Sequence, residues 1–373
     1  MRRLRSCWSL RAENASVQER RSSVISVPES LALSPVVVWL HLLRRRSLRF
    51  VAALVVVLLV MTVAMSVVHS STATAATETS EVTAATGLTT EDRSAADSQM
   101  TTWKAIVLGA VEGITEYLPI SSTGHLIVTQ RILGIGDTSA TKDAADSYAI
   151  AIQFGAILAV LVLYRRRILT LLQGLFGRNA EGRSLLLSLV IAFVPAVIVG
   201  VLFESSIKEH LLGTGPVIAA WIVGGIVLLV LAPRIKPDRP GLSITHIAPR
   251  QAFIIGVAQV LAMWPGTSRS LVTILAALAV GTTLAAAVEF SFLLGLMTLG
   301  AATIYESGKN GSTVIDAYGW FDPLVGLVVA FVFAVIAVRW MVTWLQTRSL
   351  AVFGWERLVV AAVTIGLIAT SVI

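Results

Sequence analysis

Cysteine is all but missing: Cys7 is the only one in 373 residues. A single thiol forms no disulfide within the chain, builds no thiolate metal site and supports no paired redox chemistry. Charge is scarce too. Only 14% of the residues are charged, where a soluble domain carries roughly a quarter. Apolar residues take their place, at 55% of the chain and a mean hydropathy of +0.81. Apolar runs long enough for a ~30 Å hydrocarbon core recur throughout the C-terminal part. The pattern is that of an all-α polytopic membrane protein.

The formal charge of +7 is unevenly placed. Residues 1–50 hold ten arginines against Glu13, Glu19 and Glu29, whereas 51–100 hold Arg93 against Glu78, Glu81, Glu91, Asp92 and Asp97. Arginines gathered in a tail and at segment ends report membrane topology, and no basic face or stripe suits nucleic acid. Residues 1–49 read as a basic, disordered N-terminal tail. Residues 50–68 read as an anchor helix or a signal-like segment, with Ala73-Thr74-Ala75 resembling a cleavage site. A Ser/Thr/Ala-rich linker fills 69–102, and Met100 leaves open a start immediately before the main domain. None of these readings gives the leader any chemistry.

From Trp103 onward, apolar segments fall near 105–133, 148–164, 184–203, 216–232, 251–281, 288–306, 323–341 and 356–373. Arg165, Arg166, Arg167, Arg178 and Arg183 mark one inner loop. Arg234, Lys236, Arg239 and Arg250 mark a second, and Arg339, Arg348 and Arg357 a third; the connections 204–215 and 307–322 read as outer loops. Two segments are broken. Pro119 and a hydroxyl cluster interrupt 105–133, and Pro265-Gly266 and another cluster interrupt 251–281. Around these breaks, Gly109-Ala110-Val111-Glu112 and Ser121-Ser122-Thr123 are echoed by Gly256-Val257-Ala258-Gln259 and Thr267-Ser268-Arg269-Ser270. The expected architecture is two inverted-topology repeats, about 103–232 and 251–373, each a re-entrant helical hairpin plus three transmembrane helices. Irregular backbone at membrane depth is tolerated inside protein or beside water, so the two breaks should wall one polar site.

Glu112 and Glu116 are four apart and share a helix face. Each carboxylate inside an apolar segment costs about 2.5–3.5 kcal/mol even on the lenient insertion scale. A bound cation or a facing arginine would offset that. Ser121-Ser122-Thr123-Gly124-His125 follow Pro119, where a new helix would start and its free N–H groups would cradle phosphate. Ser122 and His125, three apart, can share a face as nucleophile and base. The second break offers Ser268, Arg269, Ser270 and Thr273. Arginine at membrane depth calls for an anion, and its planar fork suits phosphate. A salt bridge from Arg269 to Glu112 or Glu116 is the plainer alternative, and both can hold in turn.

The stretch from Glu112 to His125, Glu-Gly-Ile-Thr-Glu-Tyr-Leu-Pro-Ile-Ser-Ser-Thr-Gly-His, closely resembles the first signature of the bacterial undecaprenyl-diphosphate phosphatases of the bacitracin-resistance type. Trp264 to Ser270 with Thr273 resembles the second, and Gln153 and Glu289 lie in further matching stretches. The resemblance covers about 103–373; the leader is no part of the family plan, and Leu271-Val272 and Ala276-Ala277 replace small residues common in relatives. It implies hydrolysis of undecaprenyl diphosphate to undecaprenyl phosphate, recycling the carrier lipid for cell-wall synthesis, at a multi-pass plasma-membrane site open to the outer face. It further implies that Glu112 and Glu116 serve the cation and acid/base chemistry. Ser122 would be nucleophile or phosphate ligand, and His125 its base or the nucleophile itself. Arg269, Ser121, Thr123, Ser268, Ser270 and Thr273 would hold the diphosphate. Oxygen ligands suit Mg²⁺ or Ca²⁺, and the lack of clustered His and Cys speaks against zinc. Membrane lipids would surround the chain; a homodimer is left open, since no interface motif stands out.

Two rival classes remain to be weighed. Acid-phosphatase-like lipid phosphatases need a His and an Asp after their Ser-Arg motif, and Ser270 to Leu278 supply neither. A polyprenyl-phosphate transporter or flippase would also use inverted repeats and phosphate-gripping residues; the Ser122 and His125 pair favours chemistry, with a dual role left open.

Overall fold

The computed structural model describes residues 99–373 apart from 137, 138 and 212. The tail 1–49, the segment 50–68 and the linker up to 98 lie outside the described residues. Among the described residues there is no strand, and a single isolated bridge joins Leu242 to Thr282.

The first broken segment forms helix α1 (Thr102–Thr115), an irregular turn, and α2 (Ser122–Ile132). Pro119 keeps the residues before it out of a continuing helix. The long helix α3 (Ser139–Leu163), the short α4 (Arg165–Leu175), α5 (Ala180–Leu211) and α6 (Thr214–Leu231) follow. The second broken segment repeats the form. It has α7 (Pro249–Gln259), a 3-10 turn at Val260–Met263, and α8 (Arg269–Ala279). Then come α9 (Leu284–Tyr318), α10 (Phe321–Leu345) and α11 (Ala351–Ala369). Among the described residues six helices, α3, α5, α6, α9, α10 and α11, are long and apolar enough to cross a membrane. Each hairpin thus precedes three such helices.

The hairpins agree in register. Thr102 and Pro249, Ser122 and Arg269, and Ile132 and Ala279 each lie 147 positions apart. At that spacing Ser121 and Ser268, the residues before the second arms, both adopt left-handed φ values of 77° and 73°. Gly134 and Gly281, which close the second arms, do so as well.

Packing crosses between the halves. Arm α1 lies against α10 and arm α7 against α5, while α6 pairs with α11. Glycines make the close approaches possible. A Cβ on Gly113 would stand 2.3 Å from the Ala330 carbonyl oxygen, and one on Gly256 would stand 2.4 Å from that of Ala192. Apolar chains gain little by association in lipid, so close backbone contact of this kind carries much of the attraction.

Three expectations need correction. The connections 204–215 and 307–322 are not loops throughout: α5 runs to Leu211 and α9 to Tyr318, where Gly319 in a left-handed conformation stops it. The arginine-rich stretch after α3 is helical too, since Ile168, Leu169, Leu171 and Leu172 give α4 an apolar side. Arg357 is no loop cation. It is fully buried inside α11.

Candidate functional site

The two turns meet. Arg357 donates to the Pro119 carbonyl at 3.2 Å and to the Gly266 carbonyl at 2.6 Å. Those two residues are themselves 147 apart, so one guanidinium ties the matching carbonyls of both turns. Its remaining donors reach Ala220, Trp221 and Thr267. Such complete satisfaction is what allows a fully buried arginine. Ser270 Oγ adds a direct link by donating to the Leu118 carbonyl at 2.8 Å.

Between the turns lies a cavity of about 190 Å³, walled by Glu116, Ser121, Ser122 and Thr123 from the first hairpin and by Ser268 and Arg269 from the second. Gln153 of α3 and Gln259 of α7 complete its polar lining, and Ala262, Met263 and Trp264 give it an apolar flank. Glu116 is the hub. Arg269 Nη2 donates to its Oε1 at 3.0 Å, and Ser122 Oγ donates to its Oε2. Arg269 is held in turn by the Ser291 carbonyl at 3.2 Å and by the face of Tyr117, 5.6 Å from ring centre. Gly295 leaves the room it occupies: a Cβ there would come within 1.9 Å of Nη1.

Glu112 lies one turn back along α1, fully buried. Its carboxylate faces Glu116 and feels the charge of Arg269. No nitrogen or hydroxyl donor among the described residues reaches its oxygens, and the neighbouring Glu116 carboxyl could bond to it only by sharing a proton. A carboxylate so placed beside a second carboxylate fits a hard divalent cation, which accepts one or two protein carboxylates and takes its other oxygens from substrate phosphate. Among the described residues no group of three or more His, Cys, Asp or Glu gathers as a ready metal cage.

Not every expected site residue reaches the cavity. The Ser122–His125 pair is not formed. His125 Nδ1 meets the Ser121 carbonyl at 2.7 Å and Nε2 meets Glu356 at 2.8 Å, which turns the ring away from the Ser122 hydroxyl. Ser270 and Thr273 stand behind the wall, fully buried. Thr273 Oγ1 bonds to Ser291 at 2.6 Å and to the Arg269 carbonyl at 2.8 Å, so both hydroxyls serve the backbone frame. Ser268 Oγ accepts from the Leu271 N–H and caps α8. By contrast, Glu116, Ser121, Ser122, Thr123, Ser268 and Arg269 are brought together as the motifs suggested.

Residues that the motifs did not single out complete the picture. Glu356 and Arg357 are adjacent charges within an apolar run, and that oddity was their signal. The signal for Gln259 was its match to Glu112 in the repeat. Gly295 gave none, because its role is to leave space for a side chain remote in sequence. The non-glycine serines at positive φ are strained by about 1–3 kcal/mol each, a cost found where backbone must aim groups at a ligand.

Comparison with known proteins gives the chain its family. The profile of the family described as Bacitracin resistance protein BacA matches residues 105–363. A Sorangium cellulosum protein named Undecaprenyl-diphosphatase is 42% identical over 266 residues, covering 70% of this chain and 85% of its own length. Undecaprenyl-diphosphatase 1 of Chromobacterium violaceum is 42% identical over 263 residues, 70% of this chain and 94% of the relative. The Aquifex aeolicus Undecaprenyl-diphosphatase is 40% identical over 265 residues, 71% and 97% of the two chains.

Proposed function

Since the chain belongs to the BacA family of bacitracin resistance proteins, we propose that it hydrolyses undecaprenyl diphosphate to undecaprenyl phosphate and inorganic phosphate. The product is the lipid carrier that cell-wall polymer synthesis reuses, and removing the diphosphate form underlies bacitracin resistance. The observation that carries the mechanistic reading is the contact line Ser122–Glu116–Arg269 at the cavity wall.

Glu116 Oε1 is tied to Arg269, which leaves Oε2 to take the Ser122 proton. Ser122 Oγ then attacks the terminal phosphorus as the bond to the bridging oxygen breaks, and the lipid monophosphate leaves. The proton passes from Glu116 to the departing lipid phosphate, which restores the carboxylate. Glu116 then deprotonates a water that attacks the phosphorus, the Ser122–phosphorus bond breaks, and Ser122 Oγ recovers a proton from Glu116 as inorganic phosphate leaves. Phosphoryl transfer of this kind depends chiefly on positioning and charge neutralisation. Arg269 supplies a fixed cation, and the N-termini of α2 and α8, each opening onto the cavity, supply N–H groups. Thr123, Ser121 and Ser268 are within the wall to bind the diphosphate oxygens. Glu112 and Glu116 would hold Mg²⁺ or Ca²⁺, which when bound neutralises phosphoryl charge. His125, held by Glu356, acts by fixing the Ser121 carbonyl rather than as the base. The prenyl tail leaves past Met263 and Trp264 toward lipid, and the site opens to the outer side of the plasma membrane. The two halves would have inverted topology, since each hairpin is followed by three spanning helices, an odd number of crossings that starts the second half on the opposite side.

The test is phosphate release from a polyprenyl diphosphate by detergent-purified protein, beside Arg269→Ala and Glu116→Gln. Release that a chelator suppresses and both variants lose supports the reading. Binding of the diphosphate without release by the wild type would replace it with the polyprenyl-phosphate transporter.

A further inference from the structure

Gln259 ends α7 at the position matching Glu112 in the first hairpin. Its side chain is buried, at 3% exposure. Neither Oε1 nor Nε2 has a hydrogen-bond partner among the described residues. Yet the residue lines the cavity, on the wall that also bears Arg269. A buried amide without partners costs free energy, commonly about 1–3 kcal/mol, and the fold gains nothing visible from it. Leucine or methionine would fill the same volume without that cost.

We propose that Gln259 is a substrate-binding residue whose amide N–H groups donate to phosphoryl oxygens of the diphosphate; this rests on the phosphatase reading above. The chemistry fits the place. A carboxamide has two donors and no charge, so it adds hydrogen bonds to a dianionic group without competing with Glu116 for Arg269. The repeat thereby puts unlike groups at like positions: a carboxylate pair for a cation on one side, a neutral donor for phosphate oxygens on the other. Gln153, also in the wall, is only half-buried, so its amide is open to solvent and burial gives no comparable argument.

The experiment compares wild type, Gln259→Leu and Gln259→Glu in detergent by three readouts: steady-state phosphate release, melting temperature without ligand, and the rise in melting temperature given by a non-hydrolysable polyprenyl methylenediphosphonate. Loss of one hydrogen bond to a charged group implies a fall in kcat/KM of roughly ten- to a hundredfold for Gln259→Leu. Its melting temperature stays at or above wild type, and its stabilisation by the diphosphonate shrinks. Gln259→Glu, which sets a negative charge against the diphosphate, falls further. A lower melting temperature for Gln259→Leu with unchanged diphosphonate binding overturns the proposal, because it makes Gln259 a structural residue. So does a Gln259→Glu protein as active as Gln259→Leu or better. If the wild type binds the diphosphonate but releases no phosphate, the phosphatase reading fails, and the binding and melting arms still decide the role of Gln259.

Discussion

The two hairpins have one backbone and two chemistries. Their helices begin and end 147 positions apart, each second arm is preceded by a serine at positive φ, and each ends at a left-handed glycine. At matching positions, however, the first hairpin carries Glu112, Glu116 and Ser122, and the second carries Gln259, Met263 and Arg269. A duplicated backbone builds a cavity with two equivalent helix N-termini. Side chains that differ then place Glu116 and Ser122 on one wall and the Arg269 cation on the other. The proposed mechanism needs that inequality, since two acidic hairpins would repel the diphosphate and two cationic ones would leave no base.

The comparison breaks most sharply at Glu116 and Met263. Glu116→Gln lowers kcat by about 10²–10⁴, the worth of a positioned general base, whereas Met263→Leu, which keeps the apolar flank of the cavity, retains the wild-type order of activity in the same phosphate-release assay. Loss of the shared tie comes next. Arg357→Met frees the carbonyls of Pro119 and Gly266 together, and buried acceptors left unpaired cost about 1–3 kcal/mol each. Its thermal midpoint in detergent falls well below wild type, and activity falls with it. Gly113→Ala and Gly256→Ala test whether the first arms are equivalent. Each drives a methyl into a backbone carbonyl and should destabilise by about 1–3 kcal/mol, as overpacking does, by similar amounts in thermal melts. The smallest effects are at the strained serines. Ser121→Gly relieves an unfavourable φ and raises the melting temperature. Ser268→Gly raises it less, because Ser268 Oγ also caps α8 and losing a cap to glycine costs a few tenths of a kcal/mol.

Much of this was legible beforehand. Long apolar runs named the spanning helices, because a segment surrounded by lipid has no other way to satisfy its backbone. Pro119 and Pro265-Gly266 marked both turns, and Glu116, Ser121 and Ser122 followed by Ser268 and Arg269 gave the cavity wall, with Glu112 one turn behind it. What could not be read was which hydroxyl faces inward. Ser122 and Ser270 sit in similar motifs, yet one donates to Glu116 and the other to the Leu118 carbonyl. Nor could spacing alone tell that His125 turns to Glu356, 231 residues away in sequence.

The sequence by itself determined that the chain is helical and lies in a membrane, where its helices break, and which residue types those breaks carry. These are consequences of local composition and of the solvent around each segment. Only the tertiary structure decided the partners: that Arg269 reaches Glu116 across 153 residues of sequence, that Arg357 leaves its expected loop to join two turns, and that Gln259 faces the cavity with its amide unmet. The physical reason is that a buried charge or amide must be satisfied by whatever group the packing brings near it, and packing in this protein exchanges arms between halves far apart along the chain.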